Sequence, residues 1–181
     1  MKPVRHSPPV LRLVEHQEAG SSLDEIYRRY APYVAAVALR LSGRRVEIDD
    51  LVQDVFVEAT RGLGKLRQPE AVKGWLATIA VRVCRRRLRA RRLRTLLGVE
   101  TAFDYSELVD GGASAADRVL LATVYRLLDE MPVGARMAFA LHHLEGETLP
   151  EVARLCGCSL ATAKRRVAQA QERIRAVCGD G

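Results

Sequence analysis

The sequence predicts an all-α protein built from two small helical domains that a flexible acidic linker joins. Apolar residues recur at the three- and four-residue spacing of amphipathic helices over most of the chain. Aromatic residues make up only 5% of the 181 residues, which favours packed helices over a β-sandwich or barrel. Between residues 97 and 117 the helical spacing stops, and the segment contains four acids, three glycines and no base. We therefore expect two packing units.

The first domain is expected over residues 23–96, after a loose N-terminal arm at residues 1–22 that contains three prolines. Three apolar stripes predict three amphipathic helices, which begin near residues 23, 48 and 71. Pro32 is expected to kink the first helix or to divide it in two, because proline removes a helical hydrogen bond. Short connections between the helices predict one compact bundle.

A linker is expected at residues 97–116 and the second domain at residues 117–178. Four helices are predicted in this domain, with a capping box at residues 148–151 before the third of them. Gly157 separates the last two helices, and the small Ala153 four residues earlier allows them to cross closely. This spacing is typical of a helix-turn-helix.

The net charge of +7 is concentrated in one tract, because eight arginines and no acid lie between Arg82 and Arg94. Like charges three and four residues apart destabilise an isolated helix. The tract therefore favours binding to a polyanion over a solvated charge run. The arginines that share one side at helical spacing are Arg82, Arg85, Arg86 and Arg89.

The last helix presents a second basic surface on the side away from its apolar stripe. Arginine and glutamine suit the reading of base edges, and lysine and arginine bind phosphate. An ordinary helical hairpin with a solvated basic face is the alternative, but the turn, the caps and the exposed charges together favour DNA binding. The residues concerned are Thr162, Lys164, Arg165, Arg166 and Gln169, with Arg173 on the flank.

An acidic face on the second helix, around Asp50 and Asp54, would repel nucleic acid. It therefore indicates a protein partner if the chain binds DNA, although solvated acids are the simpler interpretation when the face is taken alone. No nucleotide, zinc-protease or hydrolase motif occurs, so we expect no enzyme activity, no cofactor and no metal. Cys156 and Cys158 lack the spacing of a zinc site. No segment is long and apolar enough for a membrane span or signal peptide, which predicts a cytoplasmic protein.

Two ordered sets of motifs resemble those of the sigma-70 family of transcription initiation factors. Region 2 of that family is similar to YRRYAP at residues 27–32, DLVQDVF at residues 50–56 and GWLATIA at residues 74–80. Region 4 is similar to LDEMP at residues 128–132, EGET at residues 145–148 and GCSLATAKRR at residues 157–166. The short chain, with only a linker between the two regions, resembles the extracytoplasmic-function (ECF) subfamily. The resemblance covers about residues 23–95 and 117–177.

The resemblance implies a sigma factor that binds core RNA polymerase, recognises promoter -10 and -35 elements and assists DNA opening. It implies a polymerase-binding role for Asp50, Gln53 and Asp54. It implies -10 DNA contacts by Arg67, Gln68, Lys73, Arg82, Arg85, Arg86 and Arg89. It implies -35 DNA contacts by Thr162, Lys164, Arg165, Arg166, Gln169 and Arg173. The acidic linker corresponds to the segment that family members thread through polymerase channels. Many members are held inactive by an anti-sigma factor, which is therefore a candidate partner.

Two other functions are alternatives to this one. A helix-turn-helix regulator that binds an operator without polymerase explains residues 148–177 but leaves the acidic face and the arginine tract without a role. A basic RNA-binding adaptor explains only the tract. The chain also departs from the family pattern, for example at Arg82, where an asparagine is common, and at residues 162–166. These departures affect the promoter sequence that is recognised.

Overall fold

The computed structural model describes residues 23–65, 71–99, 103, 105 and 114–179, and their regular structure is entirely helical. The all-α prediction is confirmed. The first half contains α1 (Leu23–Ser42), α2 (Ile48–Thr60) and α3 (Val72–Leu96). The second half contains α4 (Ala115–Glu130), α5 (Val133–Phe139), α6 (Leu149–Cys156) and α7 (Leu160–Cys178), and a π-helical turn (Ala140–Leu144) continues α5. The predicted N-terminal arm lies outside the described residues.

The three helices of the first half pack around their apolar stripes. Leu41, Leu51 and Leu76, one from each helix, are completely buried in the common core. Helix α1 runs through Pro32 as a single helix, so the expected division into two helices does not occur. Pro32 is exposed, and Ile26 and Val34 on either side of it are both buried. Packing of the flanking turns therefore maintains the helix despite the hydrogen bond that proline removes.

Local signals define the helix ends of the second half. Ser114 caps α4 in a complete capping box with Asp117, which starts the helix two residues before the predicted domain boundary. Gly157 ends α6 in the left-handed conformation, with φ of +60°. The Thr148 hydroxyl caps α6 as predicted, but the carboxylate of Glu151 pairs with Arg154, so only half of the predicted capping box forms. The α6–turn–α7 unit is the expected helix-turn-helix.

The two halves pack directly against each other, which the sequence did not predict. One buried cluster contains Ile79 and Val83 of α3 together with Met137 of α5 and Val152 of α6. Part of the linker joins this packing, because Tyr105 is only 3% exposed and stacks on the ring of Tyr125 in α4. The linker is therefore anchored at Tyr105, where flexibility was expected. None of the described helices is long and apolar enough to cross a membrane.

Candidate nucleic-acid interface

The acidic face of α2 is divided between exposed and internally paired side chains. Asp50 and Gln53 are exposed and make a free polar surface. Val57, one turn after Gln53, is 51% exposed on the same side, so an apolar side chain borders this surface. Asp54, in contrast, accepts two hydrogen bonds from Arg87 of α3, at 3.0 and 2.7 Å from Nε and Nη2. Of the three predicted polymerase-binding residues, two are thus available to a partner.

Acids of α2 neutralise part of the arginine tract of α3. Glu58 pairs with Arg82 at 3.1 Å and with Arg86 at 3.3 Å, and both arginines remain more than half exposed. Part of the charge of the tract is therefore balanced without an external polyanion, since the neighbouring helix supplies carboxylates. Arg82 and Arg86 nevertheless lie at the surface, where phosphates could exchange for these carboxylates. Arg89 is also exposed.

Arg85 is directed away from this surface and toward the second half of the chain. Its Nη1 donates a 2.7 Å hydrogen bond to the backbone carbonyl of Cys156, at the C-terminal end of α6. A predicted -10 contact is therefore occupied by the helix-turn-helix. Lys73 is exposed and lies 4.8 Å from the ring centroid of Tyr33. Arg67 and Gln68 lie outside the described residues.

Helix α7 carries three of the six predicted -35 contacts on an open surface. Ala163, Val167 and Ala170 are buried against the rest of the domain. The opposite side exposes Lys164, Arg165 and Gln169. The remaining predicted contacts are engaged within the chain: the Thr162 hydroxyl contacts the cap residue Ser159, Arg166 lies against Gly134, and Arg173 forms an ion pair with Glu130.

A buried arginine that was not predicted from the sequence joins the two halves. Arg136 of α5 is 2% exposed, and it donates to the backbone carbonyls of Leu41 at 3.3 Å and Ser42 at 2.6 Å. It also pairs with Asp129, which in turn accepts from Arg91 of α3 and from the Tyr105 hydroxyl. The signal was present, because Arg136 is the single cation of an otherwise apolar run at residues 135–141. Such a residue is buried only where partners satisfy it.

The end of α1 makes a second close contact between the halves. Gly43 has φ of +67° and lies against the ring of Tyr125, whose hydroxyl donates a 2.9 Å hydrogen bond to the carbonyl of Arg40. Burial raises the pKa of Tyr125 to about 12, so this hydroxyl stays protonated and remains a donor at neutral pH.

The buried thiols show no sign of activation. Burial raises the pKa of Cys84 to about 12 and that of Cys156 to about 11, which keeps both protonated at neutral pH. Within the described part of the chain, no group of three or more His, Cys, Asp and Glu side chains could hold a metal ion.

Two family models match the chain at the places where the structure shows these surfaces. The model of sigma-70 region 2 matches residues 26–94, which comprise most of α1–α3. The model of sigma-70 region 4 matches residues 121–174, which include the helix-turn-helix. Together the two matches cover more than half of the chain, in the order typical of the family. The chain belongs to the sigma-70 family.

Its relatives place this sigma factor in the ECF group. The ECF RNA polymerase sigma factor SigM of Mycobacterium tuberculosis is 29% identical over 177 residues, which are 97% of this chain and 87% of that protein. The ECF RNA polymerase sigma-E factor of Escherichia coli K12 is 29% identical in an alignment of 175 positions that covers 90% of each protein. The chain is thus an ECF sigma factor, a protein of transcription initiation.

Solved structures show the same fold. The sigma factor RpoE of Bartonella quintana, in complex with the anti-sigma factor NepR, matches with a TM-score of 0.64 and 24% identity, over 87% of this chain and 96% of that one. CnrH, in complex with the cytosolic domain of CnrY, matches with a TM-score of 0.58 and 22% identity, over 95% and 96%.

Proposed function

We propose that this sigma factor binds core RNA polymerase in the bacterial cytoplasm, directs it to promoters with -10 and -35 elements, and assists DNA opening without catalytic chemistry of its own. The observation that carries the proposal is the presence of two distinct surfaces on one chain. A polar surface at Asp50 and Gln53 suits a protein partner, and the basic side of α7 suits the DNA major groove. An operator-binding regulator would leave the first surface without a role.

The packed arrangement of the two halves has a consequence for promoter binding. Elements at -10 and -35 lie about 25 base pairs apart, or about 85 Å along B-form DNA. A chain whose α3 contacts α5 and α6 cannot reach both elements at once. Between the end of α3 and the start of α4, the extended linker could span about 60 Å. We infer that the two halves separate when the factor binds polymerase and promoter, which also releases Arg85 for DNA.

The polymerase surface is tested by reversing one charge. Asp50→Arg should weaken binding to core polymerase at least about tenfold, which corresponds to about 1.4 kcal/mol, because a repulsive charge replaces an exposed carboxylate. Run-off transcription with core polymerase on genomic promoter fragments should fall in parallel. A binding titration with labelled core polymerase and the transcription assay provide the two measurements.

Asp24→Arg is the matched control, because Asp24 is also an exposed aspartate in the first turn of a helix, but it lies on α1 and not on the surface of Asp50 and Gln53. Both reversals place a cation at a helix N-terminus and carry a similar small cost in helix stability. Equal affinities of the two variants for core polymerase would contradict the assigned surface. If the wild-type chain failed to bind core polymerase, the proposed function itself would be wrong.

The -35 surface is tested by separating base reading from phosphate binding. Arg165 and Gln169 are one helical turn apart on the exposed side of α7 and are expected to face the same groove. Arg165→Ala should cost about 1–3 kcal/mol on the preferred -35 sequence and relax the discrimination between sequences. A panel of mutated -35 elements, titrated with the holoenzyme, measures both effects.

Arg173→Ala is the comparison variant, since Arg173 lies on the flank of α7 and pairs with Glu130 in the free protein. This variant should bind all DNA sequences more weakly by the same factor. The slope of log affinity against log salt concentration should fall by about one, which corresponds to one counterion. A uniform loss of affinity from Arg165→Ala, with sequence preference unchanged, would show that Arg165 contacts only the backbone. An anti-sigma factor, as the family resemblance implies, is the candidate regulator of both surfaces.

A further inference from the structure

A cavity of about 540 Å³ lies between the C-terminal half of α3 and the junction of α4 and α5. Volumes of about 300–1,000 Å³ are typical of small-molecule sites in proteins. The cavity is formed by both halves of the chain, with Arg91 and Leu96 on one wall and Leu128 and Met131 on the other. It is distinct from the acidic surface of α2 and from the exposed side of α7.

Positive charge around this cavity exceeds the negative charge that the described residues supply. Asp129 is shared by Arg91, Arg136 and the Tyr105 hydroxyl, so one carboxylate serves two buried guanidinium groups. Glu130, the other acid of the wall, pairs with Arg173. Arg92 donates to the backbone carbonyl of Met131, which carries no charge. Arg126 adds a further cation at the exposed rim.

Arg91 has an unsatisfied donor in this setting. Arg91 is only 6% exposed, and its Nη1 has no hydrogen-bond partner within the described residues. Burying a guanidinium donor without an acceptor is costly, and native structures normally satisfy such groups. An anion in the cavity could supply the missing acceptor after a small adjustment of the wall, since the planar fork of arginine matches phosphate and carboxylate groups.

Most of the remaining wall is apolar and partly aromatic. Leu88, Leu96, Met131 and Val133 line it together with Phe103. Such a lining favours an apolar, planar body, while the arginines favour an oxyanion. We propose that the cavity binds a small organic anion in which a phosphate or carboxylate group is attached to a ring-bearing apolar body. Because both halves form the site, the bound ligand stabilises their packed arrangement.

Three probes test the proposed chemistry by isothermal titration calorimetry with the full chain. Phenyl phosphate and benzoate each combine an oxyanion with a ring, whereas inorganic phosphate lacks the ring. At least one of the two ring-bearing anions should bind at least tenfold more tightly than inorganic phosphate. The tighter of the two identifies the ligand as a phosphate or a carboxylate. The proposal is overturned if neither ring-bearing anion binds at 10 mM. That result is expected if a carboxylate of the chain itself accepts a hydrogen bond from Arg91.

Variants locate the binding in the cavity. Arg126→Glu changes the exposed rim and should weaken binding of the tighter probe at least tenfold without affecting the fold. Arg61→Glu makes the same change in charge on an exposed residue at the end of α2, outside the cavity, and should leave the affinity within twofold. Equal losses in both variants would show non-specific attraction and overturn the proposal. Neither result depends on polymerase or promoter binding, so this test is independent of the proposed function.

Discussion

Replacing Arg136 by methionine is expected to destabilise the packed arrangement of the two halves by about 3–5 kcal/mol. Methionine is of similar length but leaves the carbonyls of Leu41 and Ser42 without their buried donor, and it removes one of the two cations from Asp129. A loss of 3 kcal/mol, about a hundredfold in an equilibrium constant, should populate separated halves. Small-angle scattering should then show a larger radius of gyration, while circular dichroism should show that the helices persist.

Arg175→Met is the matched control, because Arg175 is an exposed arginine near the end of α7. It should change stability by no more than about 0.5 kcal/mol and leave the radius of gyration unchanged. If Arg136→Met also left the radius and the thermal midpoint unchanged, Arg136 would not join the halves. Increased affinity of this variant for core polymerase would further support the inferred separation.

Helix positions could be predicted from the sequence because the signals that set them are local. Gly157 and the hydroxyl of Thr148 act within four residues of the helix ends that they define. The start of α4 at Ala115, two residues before the predicted boundary, was also predictable, since Ser114 and Asp117 have the spacing of a capping box. Likewise, the stripes of α1–α3 follow from helical periodicity alone. The family resemblance rested on the same local motifs.

The contacts between helices could not be predicted in this way. Arg87 and Asp54 are 33 residues apart, and Arg136 and Leu41 are 95 residues apart, so no periodicity relates them. The sequence of the arginine tract therefore did not show which groups neutralise its charge, because its acidic partners lie on another helix. For the same reason the composition break at residue 97 indicated two units but not that they share a core. A break in pattern marks the end of a helix, and the packing on either side depends on distant residues.

Gly43 provides the second test of the contact between the halves, because its position requires both a positive φ and the absence of a side chain. A Cβ atom there would lie 2.3 Å from Cδ1 of Tyr125 and 2.5 Å from Cε1. The ring is 4% exposed and stacks on Tyr105, so it cannot move without loss of packing. Gly43→Ala should therefore cost about 2–4 kcal/mol, from left-handed strain and overpacking together. Chemical denaturation of the full chain measures the change.

Two further variants separate the steric contribution from the backbone contribution. Gly146 has φ of +73° and open space around its Cα, so Gly146→Ala should cost only the strain of about 1–2 kcal/mol. In a Tyr125→Ala background, the cost of Gly43→Ala should likewise fall to about 1–2 kcal/mol, because the ring that would clash with the new Cβ atom is absent. A coupling energy between the two positions is then evidence that Gly43 and Tyr125 touch in the free protein. The contrary outcome is that the costs of Gly43→Ala and Tyr125→Ala are additive and that Gly43→Ala costs no more stability than Gly146→Ala. This outcome would mean that α1 and α4 are not packed together in solution.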